Sequence, residues 1–408
     1  MRGDALRLPD VNADIRTPAE GDRDRIARVL STSLNFPLEH ALARAWTFPL
    51  DDMRCAYTDE RVVATSAEWR FTHWFGGNGL ACSGIWGVAT EPEQRGAGLA
   101  SACASTLMDD ARRRATPLTA LFPAVLEPYR RLGYELAGTF DEHRVSLDAL
   151  PAFDTSGLPS IELADVERDL EAIMACYAHW LARRNGTMEP DVGFWRSRTR
   201  ERPGDETHRV VVVRDDDAVT GFSIFARSPD ASGHLSSGFD VKCRMFVAND
   251  DRALRALIAY VRGYRGIGRH LLWSGPPSDP MTMLVGVQAV EVSDRYRWML
   301  RVLDVRGALE GRGYPPIDAE ATFAIEDPRY AENTGIWHLQ LSSGEPKVEI
   351  GSTHDRRPLS IGAFSSMFSG YLRPVDAVRL GYLDGDDPAV EALSAILSGP
   401  DPWCPFFF

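Results

Sequence analysis

Gly87-Val88-Ala89-Thr90-Glu91-Pro92-Glu93-Gln94-Arg95-Gly96-Ala97-Gly98-Leu99-Ala100 is the stretch on which the reading of this chain turns. Its first four residues close an apolar run from Leu80 that reads as a strand. Glu91-Pro92-Glu93-Gln94 breaks that strand. Leu99, Cys103 and Leu107 then recur every four residues, the period of an amphipathic helix. Between strand and helix lies Arg95-x-x-Gly98-x-Ala100. Glycines there let main-chain N–H groups come close to an anion, the helix N-terminus adds a favourable dipole, and Arg95 can add a charge. The turn has neither the Lys-Ser/Thr of a triphosphate-binding loop nor the three-glycine spacing of a dinucleotide turn.

Working outward, residues 26–34 and 38–46 read as helices, and 54–57 and 62–64 as a strand pair joined by a polar turn. A short strand at 118–122, a helical turn at 129–132 and a strand at 143–147 complete a first unit. Residues 151–159 are rich in Pro, Gly and Ser and read as a linker. Beyond them the order repeats: a hairpin from 210–213 and 220–226, a strand at 240–247, a helix at 253–261 and a strand at 270–273. In this copy the turn is Ala248-Asn249-Asp250-Asp251-Arg252, which has no glycine and two aspartates, so it is expected to hold no phosphate. A third stretch starts near Val290, with a strand at 299–302, a helix at 305–312, strands within 321–350 and helices at 361–369, 374–379 and 390–397. The expected division is 1–150, 151–290 and 291–408, all of mixed α/β character. The ending Trp403-Cys404-Pro405-Phe406-Phe407-Phe408 is too apolar for a solvated terminus and is expected to be buried.

The glycine loop resembles motif A of the GNAT acetyltransferases. That resemblance implies acetyl-CoA as co-substrate, with main-chain groups of Val88, Ala89 and Thr90 pairing with the pantetheine arm. Arg95, Gly96, Ala97, Gly98, Leu99 and Ala100 would hold the pyrophosphate. Tyr129-Arg130-Arg131-Leu132-Gly133-Tyr134 looks like the Y-G-R-F-G-Y motif of the Eis (enhanced intracellular survival) family, and Trp403-Cys404-Pro405 followed by Phe408 is also Eis-like. This likeness covers the whole chain. It implies an α/β (α+β) fold of tandem GNAT domains, each a mixed sheet flanked by helices, plus a C-terminal sterol-carrier-like α+β domain. It further implies Tyr129 as general acid, the C-terminal carboxylate of Phe408 as general base in the first domain, aminoglycosides or other polyamines as acceptors, and a homo-hexamer. Two departures stand out: Gly96 where many relatives carry a second arginine, and Ala124-Val125-Leu126-Glu127-Pro128 where they often have Ser-Glu-Gly-Gly.

The chemistry supports these roles independently. Amide formation needs a neutral amine, whereas alkylammonium groups lose their proton only near pH ~10. An anion beside the acceptor attracts the cation and takes its proton. An α-carboxylate, with a reference value of about 3.5, serves only if desolvated or relayed through water, and Phe406 and Phe407 would desolvate it. A tyrosine can protonate the thiolate, and strand N–H groups at 88–90 can stabilise the oxyanion of a tetrahedral intermediate. Tyr134 reads as packing. Trp46, Trp74 and Trp86 could line an acceptor pocket but read first as core, and Asp51, Asp52 and Glu68 are candidate acceptor anions.

Composition narrows the partners. A net charge of −13 argues against a general nucleic-acid binder and suits a cationic acceptor. There is no apolar run near the ~20 residues of a membrane span and no signal-peptide core. The six cysteines form no C-x-x-C pair and have no histidine cluster beside them, so no metal site or disulfide framework is expected and a cytoplasmic location is the default. A protein lysine or N-terminal acetyltransferase is the alternative reading; a lipid carrier built on the C-terminal domain is another.

Overall fold

Two tight hairpins start the fold. Asp59 and Glu60 (φ 49° and 56°) turn the chain between β2 (Met53–Thr58) and β3 (Arg61–Phe75), the paired positive φ that matches strand twist. Gly76 and Gly77 do the same between β3 and β4 (Asn78–Thr90). Glycine is obligatory at Gly76, because a Cβ there would lie 1.9 Å from the carbonyl oxygen of Gly313. The computed structural model describes residues 13–200, 207–229, 238–285, 287–351 and 356–408. With β1 (Asp14–Arg16) and β5 (Leu118–Leu121), these strands form the first half of a large sheet.

The second half uses β6 (Glu135–Ser146), β7 (Ser160–Leu163), β9 (His208–Asp215), β10 (Ala218–Pro229), β11 (Phe239–Ala248), β12 (Gly268–Gly275) and β13 (Val290–Val302). The order is β1-β2-β3-β4-β5-β13-β6-β12-β11-β10-β9-β7, with β8 (Thr187–Glu189) added to β3. Both halves are therefore one sheet, of 13 strands among the described residues. Its centre is exchanged: β13 lies antiparallel between β5 and β6, and β6 pairs onward with β12 of the other unit. The sequence reading gives 290–302 to the third stretch; the structure weaves it into the sheet of the first unit. Val290, Val292 and Tyr296 alternate with Glu291, Ser293 and Arg295, but residues 291–297 are exposed and the strand's partners are non-local, so local pattern does not give its place in the sheet. Trp298 locks the centre. It is fully buried, and its ring occupies the space that a Cβ at Gly138 or Gly186 would need, at 2.2 and 2.6 Å.

Helices cover the sheet where their apolar stripes predict. Helix Leu99–Arg113 buries Leu99, Cys103, Leu107 and Met108. Helix Arg23–Leu34 buries Ile26, Val29 and Leu30 over β3 and β4. Helix Asp251–Arg262 buries Leu257, Ile258 and Val261 on the second half, capped by Asp250 accepting from the Ala253 N–H at 2.7 Å.

The last unit has its own sheet, ordered β16 (Glu345–Gly351), β15 (Gly335–Ser342), β14 (Ala319–Glu326), β17 (Leu359–Ser360). Phe323, Trp337, Leu339, Phe364 and Phe368 fill it. Helix Ile361–Ser369 is buried at every residue, as its Gly, Ala, Ser and Phe composition requires of a helix enclosed on all sides. Arg301 of β13 and Asp327 form a fully buried ion pair (2.8 Å) that stitches this unit to the large sheet.

Candidate active site

The site grows from one divergence. β4 and β5 run parallel and pair only from Cys82↔Leu118 to Gly84↔Ala120. β4 continues to Thr90, so its edge from 85 to 90 faces a gap instead of a neighbour. A bulge sharpens the gap: Ala67 pairs with Trp86 and Thr65 with Ala89, leaving Gly87 at φ 61° and Val88 as the extra length. Free N–H and C=O groups along such an edge can pair with an extended ligand. Val88, Ala89 and Thr90 lie there.

The loop that follows is held from behind and open in front. Buried Glu91 accepts from Arg25 and from Arg61 (2.9 Å), and its N–H donates to the Val63 carbonyl at 2.9 Å. Ser33 donates to the Thr90 carbonyl at 2.8 Å. Gly96 has φ 88°, and a Cβ there would meet nothing within 4 Å. Gly98 (φ 75°) is the N-cap of helix Leu99–Arg113; it supplies no side-chain cap, and the first turn has no acidic residue. Arg95 is exposed and makes no ion pair among the described residues. Arg95, Gly96, Ala97, Gly98, Leu99 and Ala100 thus come together as an uncapped helix start beside the free edge, which fits a pyrophosphate on one side and its extended arm on the other. The second unit differs as its sequence suggests: there Asp250 caps the corresponding helix and Asp251 occupies its first turn.

Tyr129 sits on the short helix Glu127–Arg130, half-buried, and packs on the cluster holding Ile85, Leu121 and Tyr134 beside Val88. Its hydroxyl makes no hydrogen bond among the described residues, and burial pushes its pKa up to about 12. Tyr134 is fully buried and shares a 2.9 Å hydrogen bond with Thr119.

The last residues are threaded between the two units. The Thr139 N–H donates to the Pro402 carbonyl (3.1 Å) and the Cys404 N–H to the Thr139 carbonyl (2.9 Å). The Trp403 N–H donates to the Asn185 carbonyl, and Thr187 Oγ1 to the Trp403 carbonyl. Phe408 ends at the closure of the gap. It is 7% exposed, its ring lies 4.9 Å from Phe122 and 5.0 Å from Phe71, and its Cβ is 3.4 Å from where a Cβ on Gly84 would stand. Phe407 is half exposed, 4.4 Å from Phe122 and 5.0 Å from Tyr296.

Around this end lies an aromatic wall that sequence reasoning missed. Trp69 stacks on Phe194 at 5.5 Å, and Phe194 meets Phe406 at 4.9 Å. His73 is fully buried, its Nε2–H donates to the Gly186 carbonyl (2.8 Å), and burial pulls its pKa down to about 4. The signal was available: Trp69, Phe71, His73 and Phe75 alternate along β3, one face of a strand. Two of the candidate anions are otherwise engaged, since Arg70 pairs with both Asp52 and Glu68 and Arg114 with Glu68, and Asp51 is exposed. Trp46 is 53% exposed and donates to Asp24, Trp74 donates to Glu189, and Trp86 packs edge-on to Phe48 at 4.6 Å. Among the described residues no group of His, Cys, Asp or Glu could hold a metal, all six thiols are free and buried, and no helix is long and apolar enough to cross a membrane.

Three family models match in series. An acetyltransferase (GNAT) domain covers 14–137, a second covers 186–302, and a sterol carrier protein domain covers 305–405. A Streptomyces avermitilis protein described as an uncharacterised N-acetyltransferase is 27% identical over 82% of this chain and 83% of its own. In fold, the chain matches a GCN5-related N-acetyltransferase of Anabaena variabilis (TM-score 0.89, 23% identity, 97% of this chain and 100% of that one). It also matches Eis1 of Mycobacterium abscessus (TM-score 0.80, 21% identity, 97% and 100%).

Proposed function

Given that the chain is a GNAT N-acetyltransferase that uses acetyl-CoA and has the Eis-like series of two GNAT domains and a sterol carrier domain, we propose that it acetylates primary amines of polycationic small molecules such as aminoglycosides or polyamines. The amine attacks the thioester directly at the gap between β4 and β5. One observation carries the reading: Phe408 lies at the closure of that gap, walled by Phe71 and Phe122. Its α-carboxylate, taken out of water there, is the general base that strips the ammonium group. The free edge of β4 supplies N–H groups to the developing oxyanion. Tyr129, kept protonated by its raised pKa, donates to the departing thiolate. The same desolvation raises the thiolate's own basicity, which narrows the mismatch between a weakly acidic tyrosine and its acceptor.

The aromatic faces of Trp69, Phe194 and Phe407 beside the gap suit a cationic acceptor. The test is thiol release from acetyl-CoA against aminoglycosides, small polyamines and lysine peptides. Release with the polycations supports the reading; release with peptides alone replaces it by protein acetylation. The same likeness implies a homo-hexamer, which sedimentation equilibrium tests.

A further inference from the structure

The second unit has no glycine loop, yet three of its consecutive residues reach the acetyl-transfer site. Asn185, Gly186 and Thr187 lie as a spacer between β3 and the C-terminal tail. On the β3 side, Asn185 Oδ1 accepts from the Gly76 N–H (2.7 Å), the Gly186 N–H donates to the Trp74 carbonyl (2.8 Å), and the Gly186 carbonyl accepts from His73 (2.8 Å). On the tail side, Asn185 Nδ2 donates to the Pro400 carbonyl (3.1 Å) and the Asn185 carbonyl accepts from the Trp403 N–H (3.0 Å). Thr187 Oγ1 donates to the Trp403 carbonyl (2.9 Å). Asn185 is 1% exposed and Thr187 is fully buried. The Asn185 amide thus spends its oxygen on one side and its nitrogen on the other. Gly399 permits this approach, since a Cβ there would lie 2.7 Å from Asn185 Nδ2.

β3 is also the strand that receives the terminus. The rings of Phe71 and His73 lie 5.0 and 5.8 Å from that of Phe408. The spacer therefore sets how far Trp403 stands from the strand on which Phe408 rests. Cys404, Pro405, Phe406 and Phe407 are all that separate the two. Pro405 has a fixed φ, and Phe406 is wedged against Phe194 at 4.9 Å. So short and stiff a segment passes a shift at Trp403 on to its end. A displacement of about 1 Å at a reacting group can cost a hundredfold in rate.

We propose that Asn185 and Thr187 are positioning residues: the second unit fixes the register of the tail and so aims the Phe408 carboxylate at the acceptor amine. The inference rests on that carboxylate being the base.

The test is a cycle of four full-length proteins: the parent, Thr187→Val, the chain extended by one glycine after Phe408, and the two changes combined. Valine keeps the branched shape and removes the hydroxyl, leaving the buried Trp403 carbonyl without that donor. Thiol release with a polycationic acceptor gives kcat, and acetyl-CoA binding verifies that each protein is folded. In the parent, Thr187→Val is expected to lower kcat about tenfold, with the KM for acetyl-CoA within twofold. In the extended chain the same substitution is expected to change kcat by less than about twofold, because the carboxylate is already displaced. Should the valine protein fail to bind acetyl-CoA, Gly399→Ala takes its place in the cycle. Gly399 is exposed, and its new methyl pushes the Asn185 amide off the tail. No fall in kcat, or an equal fall in both backgrounds, overturns the positioning role alone if the extension by itself lowers kcat. An extension that leaves kcat unchanged overturns the base, and the positioning role with it.

Discussion

Tyr129 gains its character from what surrounds it. Packed beside Ile85 and Leu121 and without a hydrogen-bond partner among the described residues, it holds its proton to about pH 12. Tyr129→Phe is therefore expected to lower kcat by about 100-fold, the usual worth of a positioned acid, while the acetyl-CoA dissociation constant stays within twofold. The pH profile follows from the same value. Activity with an alkylamine should climb from pH 7 to 9.5 as free amine accumulates, with no falling limb in that range; a fall there would mean that the acid titrates lower and is not Tyr129. Gly96 is the complementary case. Its φ of 88° and the open space around it mean that Gly96→Ala costs about 1–2 kcal/mol of backbone strain, yet places a methyl where the pyrophosphate approaches. The expected outcome is a KM for acetyl-CoA raised about tenfold, a loss of about 1.4 kcal/mol of binding from that obstruction, with kcat nearly kept. The loop was legible in sequence because positive φ and an uncapped helix start are local demands that only a few residue types meet. The aromatic wall was not read, because Phe194 reaches Trp69, and Phe406 reaches Phe194, from distant parts of the chain.

At the level of elements, the exchange of β13 and β6 matters most. A first unit cut at residue 150 keeps β5 and β6 but lacks the strand that joins them. Expressed alone, 13–150 should give no dispersed amide spectrum, whereas a self-contained unit would. Trp298→Ala removes the fully buried ring above Gly138 and Gly186. A loss of about 3–5 kcal/mol is expected, read as a lower urea midpoint at unchanged slope. Strands and helices with a regular period, such as Leu99–Arg113 and Asp251–Arg262, were visible in the sequence. Thr187–Glu189 and Val192–Thr199 were not: the first is three residues long, and the second has no apolar stripe of its own and is placed by Trp195 packing on Tyr177. Strand exchange itself is a matter of non-local pairing, on which local pattern is silent.

At the level of the whole molecule, three units converge on one gap. The first supplies the open edge and glycine loop. The second supplies Phe194 and, through Asn185 and Thr187, the clamp on the tail. The last supplies the tail itself. Its apolar ending foretold burial, and the structure gives the place: the closure of β4 and β5. The account stands or falls on the carboxylate of Phe408. The most direct measurement is kcat for thiol release with a polycationic acceptor, compared between the chain ending at Phe408 and one extended by a single glycine. The account predicts a fall of about 100-fold or more, with acetyl-CoA affinity retained, because the extension turns the carboxylate into an amide and moves the charge away from the gap. Equal turnover in the two proteins would contradict it and place the base elsewhere.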